Sequence, residues 1–169
     1  MKTIFDEEAA KNHVYPLDDR GTGRIYIPKP SPGGSDPKRT KFTYYPGAVR
    51  LAETAAVNTK NRSHTIEADI TLPEKGGEGV LVAIGGSSAG YSLYVQDGKL
   101  VYHFNWFEET RTVITSSVPV PAGKSTVRFD FAYDGPSGEL GSGGTGTLFI
   151  NGKKVGEARI AKTVPGRFG

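Results

Sequence analysis

The chain has 169 residues, with 21 lysines and arginines against 18 acids, a formal net charge of +3 and no cysteine. The missing cysteines exclude disulfides, zinc–thiolate sites and cysteine nucleophiles, and so small a basic excess argues against a nucleic-acid partner. The length suits one domain, alone or with an extension, and no apolar run reaches the roughly 18 residues of a membrane span.

The first element in chain order is a short helix. Thr3 is its predicted N-cap through Asp6, acidic residues in the first turn complement the helix dipole, and Pro16 is expected to end the helix. A helix this short is marginal in water without a partner surface. We therefore interpret residues 1–20 as the helical remnant of a preceding domain, with these apolar anchors: Ile4, Phe5, Val14 and Leu17.

Residues 21–41 form a Pro/Gly-rich segment that we interpret as an extended linker. Prolines at positions 28, 30, 32 and 37 prevent regular hydrogen bonding. The basic cluster at Lys38, Arg39 and Lys41 belongs to this solvated segment. The β domain is predicted to occupy residues 42–169 and to begin with Phe42, Tyr44 and Tyr45 before a Pro46-Gly47 turn.

The remaining chain is rich in strand patterns. In the first, Ile66, Ala68, Ile70 and Leu72 alternate with polar residues, as a half-buried strand requires. Residues 80–84 are apolar on both faces, which predicts a strand buried between two layers. Further strands are predicted over residues 110–118 and 127–131.

Two hairpins carry the strongest signal. Residues 91–96 and 100–107 alternate in period two around Asp97-Gly98, and residues 147–150 and 153–155 do the same around Asn151-Gly152. Both dipeptides suit a type I′ turn. With eight to ten strands and no helix long enough for a βαβ unit, the chain predicts an all-β, antiparallel two-sheet sandwich of the concanavalin A-like or jelly-roll type.

Two motifs suggest catalysis, and each has a simpler structural explanation. Residues 86–90 match the G-x-S-x-G nucleophile elbow, but that elbow leads into a helix, and here a strand follows. Glu67 and Asp69 point the same way from one strand, as paired carboxylates of a glycosidase would. Thr65 and Thr71 beside them favour an ordinary solvated face.

Several other residues are candidates for a catalytic, metal-binding or sugar-binding site. His13, His64 and His103 show no ligand spacing, and His103 is expected on a polar strand face. Asn61-Arg62-Ser63 is a glycosylation sequon, relevant only in a secreted eukaryotic context. Asp134 and Glu139 lie in a glycine-rich loop that could hold calcium, although acids are common in surface loops. An aromatic set could include a sugar-stacking platform, although Trp106 shares a face with core residues: Tyr91, Tyr94, Tyr102, Trp106 and Phe107.

The sequence resembles the C-terminal region of bacterial arylsulfatases over nearly its whole length. Five stretches carry the resemblance: FDEEAAKNHVYPLDDR (5–20), PGAVRLAETAAVNTKNRSHTIEADITLPEKGGEGVLVAIGG (46–86), GYSLYVQDGKLVYHFNWF (90–107), SSVPVPAGKSTVRFDFAYDG (116–135) and GGTGTLFINGKKVGEARIAKTVP (143–165). The first is similar to the segment where the sulfatase domain meets its C-terminal extension. The resemblance implies a lectin-like sandwich attached to an α/β sulfatase domain.

The chain also departs from that family. Its members hydrolyse sulfate esters with a formylglycine made from Cys or Ser in a C/S-x-P-x-R motif beside a divalent cation. Ser35-Asp36-Pro37-Lys38-Arg39 fits the bare pattern but lies in the linker, away from any cluster of metal-ligand residues, so we interpret it as a coincidence. Relatives continue past Phe168-Gly169 with another strand-forming segment, which predicts an unpaired sheet edge prone to dimerisation.

The leading hypothesis is a non-catalytic accessory portion of an arylsulfatase-like protein, with no enzyme activity, catalytic residue, metal or cofactor of its own. Its expected partner is the sulfatase catalytic domain. The alternative is a free-standing lectin-like module that binds carbohydrate, and a glycosidase acting through Glu67 and Asp69 is a third hypothesis. The N-terminus lacks a signal-peptide pattern, which favours the cytoplasm and leaves the periplasm open for the parent.

Overall fold

The chain folds around two antiparallel sheets. The structure is a computed structural model that describes residues 2–11, 39–53, 56–86, 88–136, 139–166 and 168. Within these residues it contains one helix and eight strands: α1 (Lys2–Lys11), β1 (His64–Leu72), β2 (Gly79–Gly85), β3 (Gly90–Gln96), β4 (Lys99–Trp106), β5 (Thr110–Pro119), β6 (Gly123–Tyr133), β7 (Gly144–Ile150) and β8 (Lys153–Ile160). The predicted short N-terminal helix and the all-β sandwich are confirmed.

The strand order divides the chain into two meanders. Sheet A has the order β1-β6-β7-β8 and sheet B the order β2-β3-β4-β5, with antiparallel neighbours throughout. The chain crosses from sheet A to sheet B after β1 and returns after β5. Strand β1 therefore pairs with β6, although more than fifty residues separate them in the sequence.

The hairpin turns form where the dipeptides predict them. Asp97 and Gly98 have φ of 50° and 72°, and Asn151 and Gly152 have φ of 50° and 78°. Two consecutive positive φ angles are the type I′ geometry, whose twist matches that of the flanking strands. These turns fix the register of β3 with β4 and of β7 with β8.

The core lies between the sheets and consists of the side chains that point inward from each strand. Tyr102 of β4 stacks on Phe129 of β6 with ring centroids 3.7 Å apart and planes 9° from parallel. Around this pair lie the fully buried side chains of Leu93, Leu100, Val127 and Leu148. Burying each such side chain contributes about 1.5–3 kcal/mol, so this shared layer is the main stabilising feature.

One local prediction is wrong. Strand β2 is not buried between two layers: within the described chain it pairs only with β3, and Val80 is 66% exposed. The first strand of the described chain begins at His64, and Tyr44 and Tyr45 lie before it in an irregular segment. The Pro46-Gly47 turn does form, with the Ala48 amide donating to the Tyr45 carbonyl at 3.1 Å.

Other predictions at the N-terminus fall partly outside the described residues. Ile4 and Phe5 of α1 are exposed, at 65% and 53%, as anchors awaiting a partner surface would be. The predicted helix end at Pro16, the anchors Val14 and Leu17, and all of the linker up to Lys38 lie outside the described residues. The division into residues 1–20, 21–41 and 42–169 therefore stays a prediction.

A close contact between the two sheets provides a test of the packing. A Cβ atom at Gly146 of β7 would lie 2.8 Å from Phe129 Cε2 and from Ile114 Cδ1. We expect Gly146→Ala to lower the free energy of unfolding by about 1–3 kcal/mol, the usual cost of overpacking a core. Urea unfolding would measure the loss, and Thr145→Ala, at the adjacent outward-facing position, is the matched control. Equal stability of the two variants would contradict this account of the core.

Candidate functional site

The outer face of sheet A holds the acidic pair Glu67 and Asp69, as the strand pattern predicts. Asp69 accepts a hydrogen bond from Thr126 Oγ1 at 2.7 Å, and Glu67 lies opposite Arg128 in the register. On the same face Thr65 donates to Asp130, Thr147 donates to Glu157, and Arg128 stacks over Phe149. The carboxylates thus belong to a ladder of cross-strand polar pairs, as on an ordinary solvated sheet face.

The glycine-rich loop after β6 uses its acids within the fold. Asp134 pairs with Arg159 of β8, and this contact lowers the pKa of the Asp134 carboxyl. Glu139 accepts a hydrogen bond from Ser142 Oγ at 3.0 Å, while its backbone carbonyl accepts one from Tyr133. Among the described residues no three His, Cys, Asp or Glu side chains form a group that could hold a metal ion. The loop is therefore tied to the sheet by its own side chains.

The G-x-S-x-G segment is a turn between two strands. It joins β2 to β3, and the Gly86 amide donates to the Ala89 carbonyl at 3.0 Å. Ser88 is exposed, and its carbonyl accepts a hydrogen bond from Asn105 at 3.0 Å. The strand-to-helix geometry of a nucleophile elbow is not present here. Ser87 lies outside the described residues, as do His13 and residues 35–38 of the C/S-x-P-x-R match.

The aromatic residues do not form one platform. Tyr91 and Tyr102 are in the core, and burial raises the pKa of Tyr91 to about 12. Trp106 is half-buried, donates from Nε1 to the Thr163 carbonyl at 3.2 Å, and contacts Phe107 edge-on. Tyr94 alone of this set projects from the outer face of sheet B. The alternation had indicated this division, because Tyr94 has the opposite parity to Tyr91.

The outer face of sheet B differs from the outer face of sheet A. Two cross-strand rows run over β2, β3, β4 and β5 in register, and we call them the uncharged face: Val80, Tyr94, Val101 and Thr115, then Ala83, Ser92, His103 and Val113. Val80 and Val113 are 66% and 53% exposed. Val101, although it points away from the core, is buried by its neighbours on this face. These two rows are thus largely apolar and contain no carboxylate, lysine or arginine, while Lys99 and Arg111 lie beside them on the same side of the sheet.

His103 lies in the middle of the uncharged face. It shares its strand face with Val101 and Asn105, as the sequence predicts, and pairs in register with Ser92 and Val113. Its Nε2 atom is shielded from solvent and has no hydrogen-bond partner. Buried polar atoms in folded proteins are nearly always paired. Arg128 Nε, on the outer face of sheet A, also lacks a partner in the described chain, so the exposed valines are what distinguish the two faces.

The second histidine in the described chain, His64, lies at one end of the sandwich among aromatic rings. Its ring lies 5.4 Å from that of Phe131 and 6.3 Å from that of Tyr91, measured between centroids. Burial lowers the pKa of His64 to about 4. The hydrogen bond to the Arg62 carbonyl opposes this shift, the positive charge of the Arg62 side chain adds to it, and the negative charge of Asp130 opposes it. The sequence could have predicted the burial of His64, although the spacing of the histidines does not. His64 has the same parity as Ile66 and Ala68 along the strand and so points inward.

Asn61 holds this end of the sandwich closed. Its Oδ1 accepts a hydrogen bond from the Gly141 amide at 2.9 Å, and its Nδ2 donates to the Pro165 carbonyl at 3.1 Å. The residue has a left-handed backbone with φ of 56° and is only 6% exposed. An amide buried in this way is not accessible as a glycan acceptor in the folded chain, so the sequon has a structural explanation.

Comparisons of the chain with models of protein families, with curated proteins and with solved structures give no match. Within the described residues, no helix combines the length and apolar character needed to span a membrane. In the described chain, the uncharged face and the end of the sandwich around His64 each place an unpaired imidazole nitrogen among apolar side chains. They are therefore the candidate functional regions of the chain.

The lowered pKa of His64 makes stability depend on pH. Above pH 6.5 the ring is neutral in both folded and unfolded chains, whereas between pH 6.5 and about 4 only the unfolded chain takes up the proton. We therefore expect stability to fall as the pH falls through this window, with His64 accounting for about 3 kcal/mol. Urea unfolding at pH 7 and pH 4 would give the loss of unfolding free energy between the two pH values for the wild type and for His64→Phe. The difference between the two losses is the contribution of His64.

His103→Phe is the control for this measurement, because it also removes an imidazole but leaves the interior unchanged. It separates the effect of losing the buried imidazole from the effect of losing an imidazole at the outer face of sheet B. An equally steep loss of stability in His64→Phe would show that other groups cause the acid sensitivity.

Proposed function

We propose that the chain is the non-catalytic C-terminal β-sandwich portion of an arylsulfatase-like sulfate ester hydrolase. In this role it packs on the catalytic domain, or shapes access to it, and contributes no reacting group. The observation that carries the proposal is the uncharged face of sheet B, together with the sequence resemblance described above. The catalytic domain supplies the formylglycine and the cation.

The two outer faces support opposite roles. On sheet A, polar and charged side chains meet partners across the strands, such as Thr65 with Asp130 and Thr147 with Glu157, although Arg128 Nε has no hydrogen-bond partner among the described residues. On sheet B, valine side chains are exposed and the His103 Nε2 atom lacks a partner. Apolar exposure of this kind is typical of a protein–protein contact surface. A catalytic domain seated there would cover the valines and supply a hydrogen bond to His103.

A charge placed on the uncharged face tests this role. We expect Val113→Glu to weaken binding of the chain to an arylsulfatase catalytic domain that is produced without its own C-terminal part, by tenfold or more, because a carboxylate would be desolvated in the contact. Sedimentation velocity would measure complex formation, and hydrolysis of p-nitrophenyl sulfate would report the effect on the active site.

Thr71→Glu, on the outer face of sheet A, introduces the same charge at an exposed strand position and should leave binding within twofold of the wild type. Both substitutions are at the surface and should change the free energy of unfolding by less than about 0.5 kcal/mol. Failure of the wild-type chain to bind the domain would contradict the proposal. So would hydrolysis of the sulfate ester by the chain alone, if it survived Ser35→Ala.

A free-standing carbohydrate-binding module is the second candidate, and the position of Tyr94 favours it. The ring projects from the uncharged face beside Ser92, with His103 in the next strand, and sugars bind to surfaces that combine an aromatic ring with hydrogen-bonding side chains. A glycan array screened with and without calcium distinguishes the two functions, because a packing domain binds no glycan. If a glycan binds, Tyr94→Phe should retain the affinity and Tyr94→Ala should lose it.

A further inference from the structure

A small cavity lies at the end of the sandwich that Asn61 holds closed. Its volume is about 20 Å³, and its walls are largely the aromatic rings of the core together with Val164 and Phe168 of the final segment. A cavity needs only about 10–15 Å³, on the same measure, to hold one water molecule. The space is therefore large enough for a single water molecule.

One wall of this cavity is His64. The Nδ1 atom lies 3.2 Å from the Arg62 carbonyl oxygen, and Nε2 is shielded from bulk solvent without a partner in the protein. Because a carbonyl only accepts, Nδ1 carries the ring proton in the neutral imidazole, and Nε2 has a free lone pair. Burial favours the neutral ring. The cavity thus contains a hydrogen-bond acceptor that needs a donor.

The remaining polar groups of the cavity are hydroxyls. Thr59 and Tyr91 both line it, and their oxygens lie 3.1 Å apart in one hydrogen bond. Only one of the two protons occupies that bond, so the pair retains one O–H group to donate elsewhere. Thr163 lines the same space. A buried water usually makes about three hydrogen bonds, and His64 with the Thr59–Tyr91 pair offers one acceptor and one donor.

We propose that this cavity is a binding site for one water molecule, which donates a hydrogen bond to His64 Nε2 and accepts one from the Thr59–Tyr91 hydroxyl pair. The water links His64 of strand β1, Tyr91 of strand β3 and Thr59 in the segment preceding β1. It is part of the folded structure, because without it a buried nitrogen and a hydroxyl would lose their hydrogen bonds to solvent with no replacement.

Nuclear magnetic resonance of the ¹⁵N-labelled full chain at pH 7 tests the proposal. We expect a water-to-protein cross-relaxation peak at the His64 ring with the sign of a long-lived water, and ¹⁵N shifts of an imidazole protonated at Nδ1. In His64→Phe the peak at this site should be lost, because the phenyl ring has no acceptor. His103→Phe removes the other unpartnered Nε2, on the outer face, and should leave the His64 peak unchanged.

Two outcomes would overturn the proposal. The first is a wild-type ring that is protonated at Nε2, which would remove the acceptor from the cavity. The second is the absence of a long-lived water at His64 in the wild type. Both measurements use the wild-type chain, so the test holds even if His64→Phe does not fold.

Discussion

The contact between Tyr102 and Phe129 is the interaction on which the fold depends, because it joins the two sheets at their centre. Tyr102 lies on β4 and Phe129 on β6, each an interior strand of its sheet, and the register with the neighbouring strands fixes the position of both rings. A stacked pair adds about 0.5–1.5 kcal/mol beyond the area that it buries. The geometric consequence is larger: with the sheets held at this distance, the alternation of every strand decides which side chains are buried and which remain outside.

That alternation also explains how far the sequence could predict the structure. Strands with clean period-two patterns, such as β3, β4 and β6, were predicted closely, and so were the Asp97-Gly98 and Asn151-Gly152 turns. Strand β2 was misread because an apolar run does not reveal whether its second face meets a sheet or solvent. Its bulge between Val80 and Val82 directs both Leu81 and Val82 inward, which local patterning does not encode.

The candidate regions were less accessible to sequence reasoning than the fold. Each cross-strand row of the uncharged face draws one residue from each of four strands, so no single segment displays it, and its lack of charge becomes visible only once the register is known. The acid pair on β1 showed the opposite problem. Glu67 and Asp69 stood out in the sequence, whereas the structure surrounds them with Thr126 and Arg128 from β6, more than fifty residues away. Chemistry inferred from one strand was therefore a weaker guide than the contrast between two faces.

The position of Asn61 has a consequence for how the molecule assembles. Its side chain joins segments that lie 80 to 104 residues away in the sequence, so its hydrogen bonds close very long loops, and this closure costs more entropy than the closure of the two hairpins. We therefore expect the contacts of Asn61 to form late in folding, after the hairpins at the two type I′ turns.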